Sequence, residues 1–364
     1  MEKFSYNNLK ELFDKYESHL SSFMLIAGFI FDYLTLNRVD FIWDNILIVL
    51  HLLIIGSSIM IINLYEEGRL KNGLFQKIHA FAPLIMQFSF GGLFSAFVVF
   101  YSKSASFVSS GAFVVILIGL LVGNEFFKKR YQRLVFQLAL YFVSIFSFSI
   151  YFFPVLIGRM GTLIFLGSGA ISLLTMSVFV LMLSRLSPIR YMGDRNVLIM
   201  TISGLYVLIN FLYFTNIIPP IPLSLKSGDV YHFVQKDNRG DYIALGEADS
   251  RWNKILRQKV VRLTTTEPVY VFGSVFAPTR LNTKIIHDWQ YLDVKTGNWV
   301  SASRISFEIF GGRDNGYRGY SKKENIFPGK WRVDIETERG QVIGRVRFNI
   351  VYTDTPVKLE TVSL

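Results

Sequence analysis

Cysteine is absent from the 364 residues, which removes disulfides, thiolate metal sites and cysteine nucleophiles together. Histidine is scarce and dispersed: His19, His51, His79, His232 and His287 are too few and too far apart for a histidine-rich metal site, although a mixed carboxylate site stays open. No phosphate-binding Gly-rich loop ending in Lys-Ser/Thr, no Gly-x-Ser-x-Gly elbow and no His-Glu-x-x-His pair occurs, so no catalytic residue, cofactor or metal is assigned. Clustered basic charge is missing too. Residues 1–217 hold 16 Lys/Arg and 11 Asp/Glu, and the remainder holds 22 and 16, so the excess of positive charge is spread along the chain. A nucleic-acid partner needs a concentrated basic face and is not expected. A charged polar stretch follows Met1 where a signal peptide would place a short apolar core, so the first apolar helix is expected to act as the insertion signal.

What the chain has in abundance is long apolar runs, and they are confined to its first 217 residues. A helix needs about 20 mostly apolar residues to cross the hydrocarbon core. Seven segments qualify: 21–37, 41–64, 80–101, 107–124, 134–157, 160–184 and 196–217, the first interrupted by Asp32. Continuous runs without a period of two exclude a transmembrane barrel, and backbone in lipid must satisfy its own hydrogen bonds, so these are read as helices. Basic residues alternate between the connecting segments. Lys3, Lys10 and Lys15, then Arg69, Lys71 and Lys77, then Lys128, Lys129, Arg130 and Arg133, then Arg185, Arg190 and Arg195 lie on one side, against Arg38, Lys103 and Arg159 on the other. Positive loops stay cytoplasmic, which puts the N-terminus inside and the C-terminal domain outside. The bilayer is thus the first expected partner, and the bacterial cytoplasmic membrane the expected location. Ahead of the first crossing, Leu9, Leu12, Phe13, Tyr16 and Leu20 share helical spacing, with Glu11 set to pair with Lys15. Residues 1–20 therefore read as a helix on the cytoplasmic interface or facing a partner.

Small residues one turn apart mark close helix packing: Gly91 and Ser95, Gly92 and Ala96, Gly119 and Gly123, Ser168 and Ser172. Ionisable groups at membrane depth carry more information because each costs about 2.5–3.5 kcal/mol at a helix centre. Asp32 and Asp44 fall near the outer ends of the first two crossings, and His51 lies two turns deeper than Asp44. They define a candidate outward-facing cation or proton site. Interfacial carboxylates in water and a histidine bonded to a neighbouring helix account for the same residues.

After the last crossing, Ile218-Pro219-Pro220-Ile221-Pro222 cannot continue a helix and predicts a stiff, extended tether over 218–228. The domain beyond, 229–364, reads as β. Ser250 caps a short helix in which Trp252, Ile255 and Leu256 share a face. Val269–Phe276 is a continuous apolar run suited to a central strand. A two-residue period aligns Ile285, His287, Trp289 and Tyr291, then Ile305, Phe307 and Ile309, then Trp331, Val333 and Ile335, then Val346, Phe348 and Ile350. Lys295-Thr296-Gly297-Asn298 and Glu338-Arg339-Gly340-Gln341 read as hairpin turns. Sheets with one apolar face must stack, so the expected fold is a membrane all-α bundle of about seven transmembrane helices followed by an all-β, immunoglobulin-like two-sheet sandwich.

The strings His287-Asp288-Trp289, Gly316-Tyr317-Arg318-Gly319-Tyr320-Ser321 and Pro328-Gly329-Lys330-Trp331-Arg332-Val333, followed by Gly340 and a closing strand with Phe348, resemble the bacterial family called domain of unknown function 2914. The motif match covers residues 268–352, and the Pro-rich segment before Val230-Tyr231-His232 is similar to members in which the domain follows a multi-helix membrane region. The resemblance implies architecture and brings no activity with it.

The best ligand-binding constellation is His287 and Trp289 with Arg318, Tyr320 and Ser321. Arginine offers a planar fork for carboxylate or phosphate, and aromatic faces suit sugar rings or peptide side chains. Against this, His287 shares its strand face with Ile285 and Trp289, and Trp331 has core spacing, so these positions also suit a bonded interior. Arg318 and Tyr320 are expected on a Gly-rich loop. Two function classes follow. One is a membrane protein presenting an extracytoplasmic binding or assembly module for a cell-envelope component, an anionic glycan or a polypeptide. The other is a transporter or channel with the β domain as an outer lid or docking platform. The crossings carry few mid-membrane polar groups besides His51, chiefly Gln87, Gln137 and Asn210, which favours the first class.

Overall fold

The computed structural model describes residues 29–30, 32–34, 36, 40–70, 73–104, 107–126, 133–238, 240–247, 259–264, 267–279, 281–311 and 316–364. The expected N-terminal interfacial helix, most of the first crossing and the short helix around Trp252 lie outside these residues. Two compact units result, one helical (Met1–Ser102, Ala112–Phe153 and Gly161–Thr215), the other β-rich (Asn216–Leu364) together with the short stretches Lys103–Gly111 and Pro154–Met160.

Among the described residues, six long helices belong to the helical unit: α1 (Ile42–Glu66), α2 (Gly73–Ser104), α3 (Phe107–Phe126), α4 (Leu134–Ile157), α5 (Thr162–Leu186) and α6 (Pro188–Phe214). Residues 29–30 and 32–34 are also helical. Among the described residues, five spans are long and apolar enough to cross a membrane: α1, Phe81–Ser102 of α2, α4, α5 and α6; Gly111–Asn124 of α3 is apolar over a shorter length. Much of the apolar surface of α5 and α6 is turned outward, with Leu163, Leu174, Leu181, Met192, Met200 and Val207 all exposed. In water such a surface would be a large adhesive patch.

The last helix begins earlier than its apolar run, at Pro188 instead of residue 196. Proline at the first position has no amide hydrogen to lose. The carboxylate of Glu67, just past α1, accepts the amide hydrogens of Ile189 (2.6 Å) and Arg190 (3.4 Å), and Arg190 pairs with Glu66. These bonds satisfy two of the free donors of the helix start. Polar side chains stitch the interior. Asn63 donates to Gln137 at 2.9 Å between α1 and α4, and Gln87 and Asn124 each donate to the other's backbone carbonyl between α2 and α3. The small-residue seams hold at Gly91, where a methyl group would sit 3.2 Å from Asn124 Nδ2, and at Gly92, where it would sit 3.1 Å from His51 Nε2. Gly119 differs: nothing lies within 4 Å of its added Cβ, so the predicted pair of Gly119 and Gly123 is not a contact there.

The β unit contains β1 (Ser224–Tyr231), β2 (Phe233–Lys236), β3 (Tyr242–Glu247), β4 (Lys259–Leu263), β5 (Val269–Phe276), β6 (Asn282–Leu292), β7 (Trp299–Phe310), β8 (Tyr317–Lys323), β9 (Gly329–Thr337), β10 (Val342–Tyr352) and β11 (Leu359–Ser363). They form three sheets, ordered β1-β5-β8, β4-β10-β9-β6-β7 and β11-β3-β2, with β4 and β10 parallel and every other pairing antiparallel. Val271 and Val275 of β5 share one core with Trp289, Trp331, Val333, Ile335, Phe348 and Ile350 of the five-stranded sheet. Tyr270 and Phe272, on the opposite face of β5, join Tyr231, Val234, Tyr242 and Ala244 in a second cluster. A third sheet therefore covers what a two-sheet sandwich would leave bare. The reason is the apolar run of β5, buried at all eight positions and so in need of cover on both faces.

Both predicted hairpin turns form, with Gly297 and Gly340 at φ +69° and +76° supplying the left-handed backbone that glycine adopts freely. The Pro-rich segment departs from the extended rod expected of it. Residues 218–223 are buried, turn bonds run from Ile221 N to Pro219 O and from Leu223 N to Pro220 O, and Gln341 donates to the Ile218 carbonyl. Buried apolar Ile218, Ile221 and Leu223 outweigh the extended preference of their prolines, and β1 already starts at Ser224.

Gly273 of β5 faces Gly319 of β8, and a methyl group at Gly273 would lie 2.9 Å from Ile335 Cδ1 and 3.3 Å from His287 Nε2. Gly273→Val is expected to destabilise the β unit by about 1–3 kcal/mol, the usual cost of overpacking a closed core. Gly273→Val and the parent chain, unfolded by urea in detergent with tryptophan fluorescence as readout, provide the check; matching midpoints refute the packing.

Candidate functional site

Strand β8 carries three of the five residues in the predicted constellation and pairs with β5 from Tyr317 opposite Val275 to Lys323 opposite Val269. Arg318 and Tyr320 thus lie on a strand and not on the expected loop, because the Gly-rich segment finds a partner in β5. Neighbouring residues of a strand point to opposite faces, so Ser321 parts company with Arg318 and Tyr320.

On the inner face Ser321 meets His287 and Trp289 from β6. Trp289 Nε1 donates to Ser321 Oγ at 2.9 Å, and His287 Nδ1 shares a 2.8 Å hydrogen bond with the same oxygen. All three side chains are buried. The His287 ring stands edge-on to Phe307 at 4.9 Å, in the space left by Gly273 and Gly319, and Nε2 has no hydrogen-bond partner. Burial pushes its pKa down from the ordinary 6.5 to about 3, so the ring is neutral in the folded protein. The chemistry of this buried cluster is that of a polar tie between two sheets.

On the outer face Arg318 and Tyr320 join residues that sequence reasoning missed. The Arg318 guanidinium lies 5.5 Å from the centre of the Tyr242 ring, donates to the Leu364 carbonyl at 2.8 Å and pairs with Asp241 at 3.4 Å. Tyr242 in turn donates to the Arg318 backbone carbonyl. Tyr320 stands 5.9 Å from Tyr270 and 6.1 Å from Tyr242, and Phe233 lies 5.6 Å from Tyr270. Tyr320 and Phe233 remain 38% and 39% exposed, which leaves their rings open to solvent beside a cation. This aromatic strip, edged by Arg318, offers flat apolar faces and a planar donor to one ligand. Tyr270 and Phe233 were detectable in the sequence. Tyr270 is the odd-face member of the β5 run, and Phe233-Val234 opens a short alternating stretch.

In the helical unit, His51 packs against Gly92 of α2, with its Nδ1 buried and without a hydrogen bond, and Asp32 lies beside Ser95 one turn further along the same helix. Asp44 is within electrostatic reach of the Tyr151 hydroxyl on α4. Thus Asp32 and His51 share one face of α2 while Asp44 looks toward α4. Among the described residues, no group of three or more His, Cys, Asp or Glu is arranged to hold a metal ion.

A helical unit with membrane-length apolar spans joined to a three-sheet β unit defines the class of protein. Residues 282–350, a stretch of the β unit, match the family described as protein of unknown function (DUF2914). No curated protein matches the chain. Among solved structures, it is similar to the Pseudomonas fluorescens alkylpurine DNA glycosylase AlkC bound to DNA containing an abasic site analog, at 8% identity over 86% of this chain and 99% of that one; the TM-score of 0.21 carries no inference.

The neutral His287 sets a pH dependence. Unfolding frees the ring to take a proton below its ordinary pKa of 6.5, while the folded ring stays neutral down to about 3. Its contribution to stability is therefore intact above that ordinary value and falls by about 1.4 kcal/mol per pH unit between the two pKa values. Urea unfolding at pH 7.5, 6 and 4.5 is expected to show this loss in the parent and a smaller one in His287→Gln; equal slopes contradict the assignment.

Proposed function

We propose that this chain is an integral protein of a bacterial cytoplasmic membrane, with seven crossings and a cytoplasmic N-terminus. Its immunoglobulin-like β domain, on the periplasmic or outer side, is a binding or assembly module for a cell-envelope component, an anionic glycan or a polypeptide. The outward apolar surface of α5 and α6 and the alternating basic segments support insertion and orientation. Face-to-face packing of mainly antiparallel sheets around Trp289 supports the immunoglobulin-like reading, with the third sheet as an addition to it.

The observation that carries the binding role is the aromatic strip of Tyr320, Tyr270 and Phe233 beside Arg318, in which two rings open to solvent lie next to a guanidinium. Pyranose rings and peptide side chains stack on such faces, and a carboxylate matches the guanidinium. Arg318→Ala combined with Tyr320→Ala is expected to lower retention of envelope polysaccharide or protein by the full-length chain at least tenfold. Pull-down from envelope fractions, with the recovered material identified by mass spectrometry, measures it; unchanged recovery removes the strip from the proposal. A reporter fused after Leu364 is expected to be active only outside the cytosol.

A second reading, a transporter or channel with the β domain as an outer lid or docking platform, draws on one observation. Ser144 Oγ and Tyr151 Oη of α4 and His51 Nδ1 of α1 are buried without hydrogen-bond partners, as groups that water or a passing ion would satisfy. Cation or proton flux in liposomes that persists when Asp32, Asp44 and His51 are neutralised is the result that excludes this reading.

A further inference from the structure

The face of the five-stranded sheet turned away from its core carries a dense, ordered set of charges. Cross-strand register places Arg304, Asp288, Asp334 and Arg345 in one row over β7, β6, β9 and β10, and Ser301, Gln290, Arg332 and Arg347 in the next. Lys330 extends the second row's edge, opposite Asn349. Asp334 receives two bonds from Arg345, at 2.5 and 2.6 Å; Glu336 is paired with Arg304; and Asp288 accepts from Ser301 and Gln290. Arg332 donates to Gln290 at 2.7 Å and lies 4.4 Å from the centre of the Trp299 ring.

Exposure sorts these charges by sign. Asp288, Asp334 and Glu336 are all buried, whereas Arg304, Arg347 and Lys330 are exposed. The carboxylates of the two rows lie beneath and hold the arginines in place, so what faces solvent along these rows is cationic, with exposed Glu308 set four residues beyond Arg304 on β7. Arg332 and Arg347 are direct cross-strand partners, an arrangement of like charges that weakens a sheet. Among the described residues, Arg347 and Lys330 have no ion pair. A pair of guanidiniums facing each other with no carboxylate for one of them is complementary to an anion laid across both.

We propose that this face, separate from the aromatic strip, is a second binding surface and that its occupant is an acidic polysaccharide. Carboxylates along the polymer sit on Arg332, Arg347 and Lys330, and ring hydroxyls find Ser301, Gln290 and Asn349, whose side chains both donate and accept. An open sheet face without walls suits an extended polymer over a small free anion. Trp299 has one ring face occupied by Arg332, leaving at most one for a sugar ring and no platform for successive nucleic-acid bases.

The experiment uses the full-length protein in detergent, titrated with polygalacturonate, with neutral dextran and single-stranded DNA run at the same salt. Binding of polygalacturonate without binding of dextran is expected. Arg347→Gln combined with Lys330→Gln, both exposed and outside the core, is expected to weaken it at least tenfold with an unchanged unfolding midpoint. Arg318→Ala with Tyr320→Ala is expected to leave it unchanged, which separates this surface from the aromatic strip. Failure of the parent protein to bind polygalacturonate, tighter binding of DNA, or full affinity in the Arg347→Gln, Lys330→Gln variant overturns the proposal.

Discussion

The β unit depends on β5 being apolar on both of its faces. A strand with side chains alternating up and down can serve two cores only if both sides are covered, and here the five-stranded sheet covers one side and the β11-β3-β2 sheet the other. The same alternation then passes to β8, its antiparallel neighbour, and decides what each of its residues can do. Ser321 is committed to the interior and Tyr320 to the surface, although they are adjacent in the chain. Function on this domain is thus a matter of parity along a strand as much as of residue type.

The helical unit obeys a different constraint. Its apolar surface is outside as well as inside, so burial does not distinguish core from exterior, and specificity falls to polar side chains. The Asn63–Gln137 bond and the reciprocal Gln87–Asn124 pair each join two helices. In an apolar setting an unpaired amide costs several kcal/mol, which makes such pairs selective for one helix register. Glu67 does comparable work at the start of α6, where a single carboxylate from the end of α1 receives two amide hydrogens.

Much of this was legible in the sequence, and what was not has identifiable causes. Apolar runs located five membrane-length helices because length and hydropathy are local properties. The period-two faces of β6, β7, β9 and β10 were readable for the same reason, as were the turns at Gly297 and Gly340. The third sheet was not, since β2 and β3 are short and become informative only once β5 is known to need cover on its second face. The start of α6 was hidden because its cap comes from Glu67, more than a hundred residues away in the chain. As for the candidate site, residue types suggested one constellation of five, whereas pairing of β8 with β5 divides it into an interior tie and a surface strip. The charged rows on the outer sheet were visible only as the polar members of alternating strands, such as Asp288 between His287 and Trp289, and they gain meaning from cross-strand register, which no single sequence displays.

The oxygen of Ser321 holds two rings that both come from the opposing sheet, one nitrogen from each. Two anchors on one point fix rotation as well as distance, so the sheets cannot shear past one another by even one residue without stranding both nitrogens in apolar surroundings. Core contacts among Val, Ile and Phe tolerate such sliding far better, since dispersion has little directional preference. A single hydroxyl thereby converts an oily contact that would accept several alignments into a joint with one setting, and the surfaces on the far sides of both sheets inherit their mutual geometry from it.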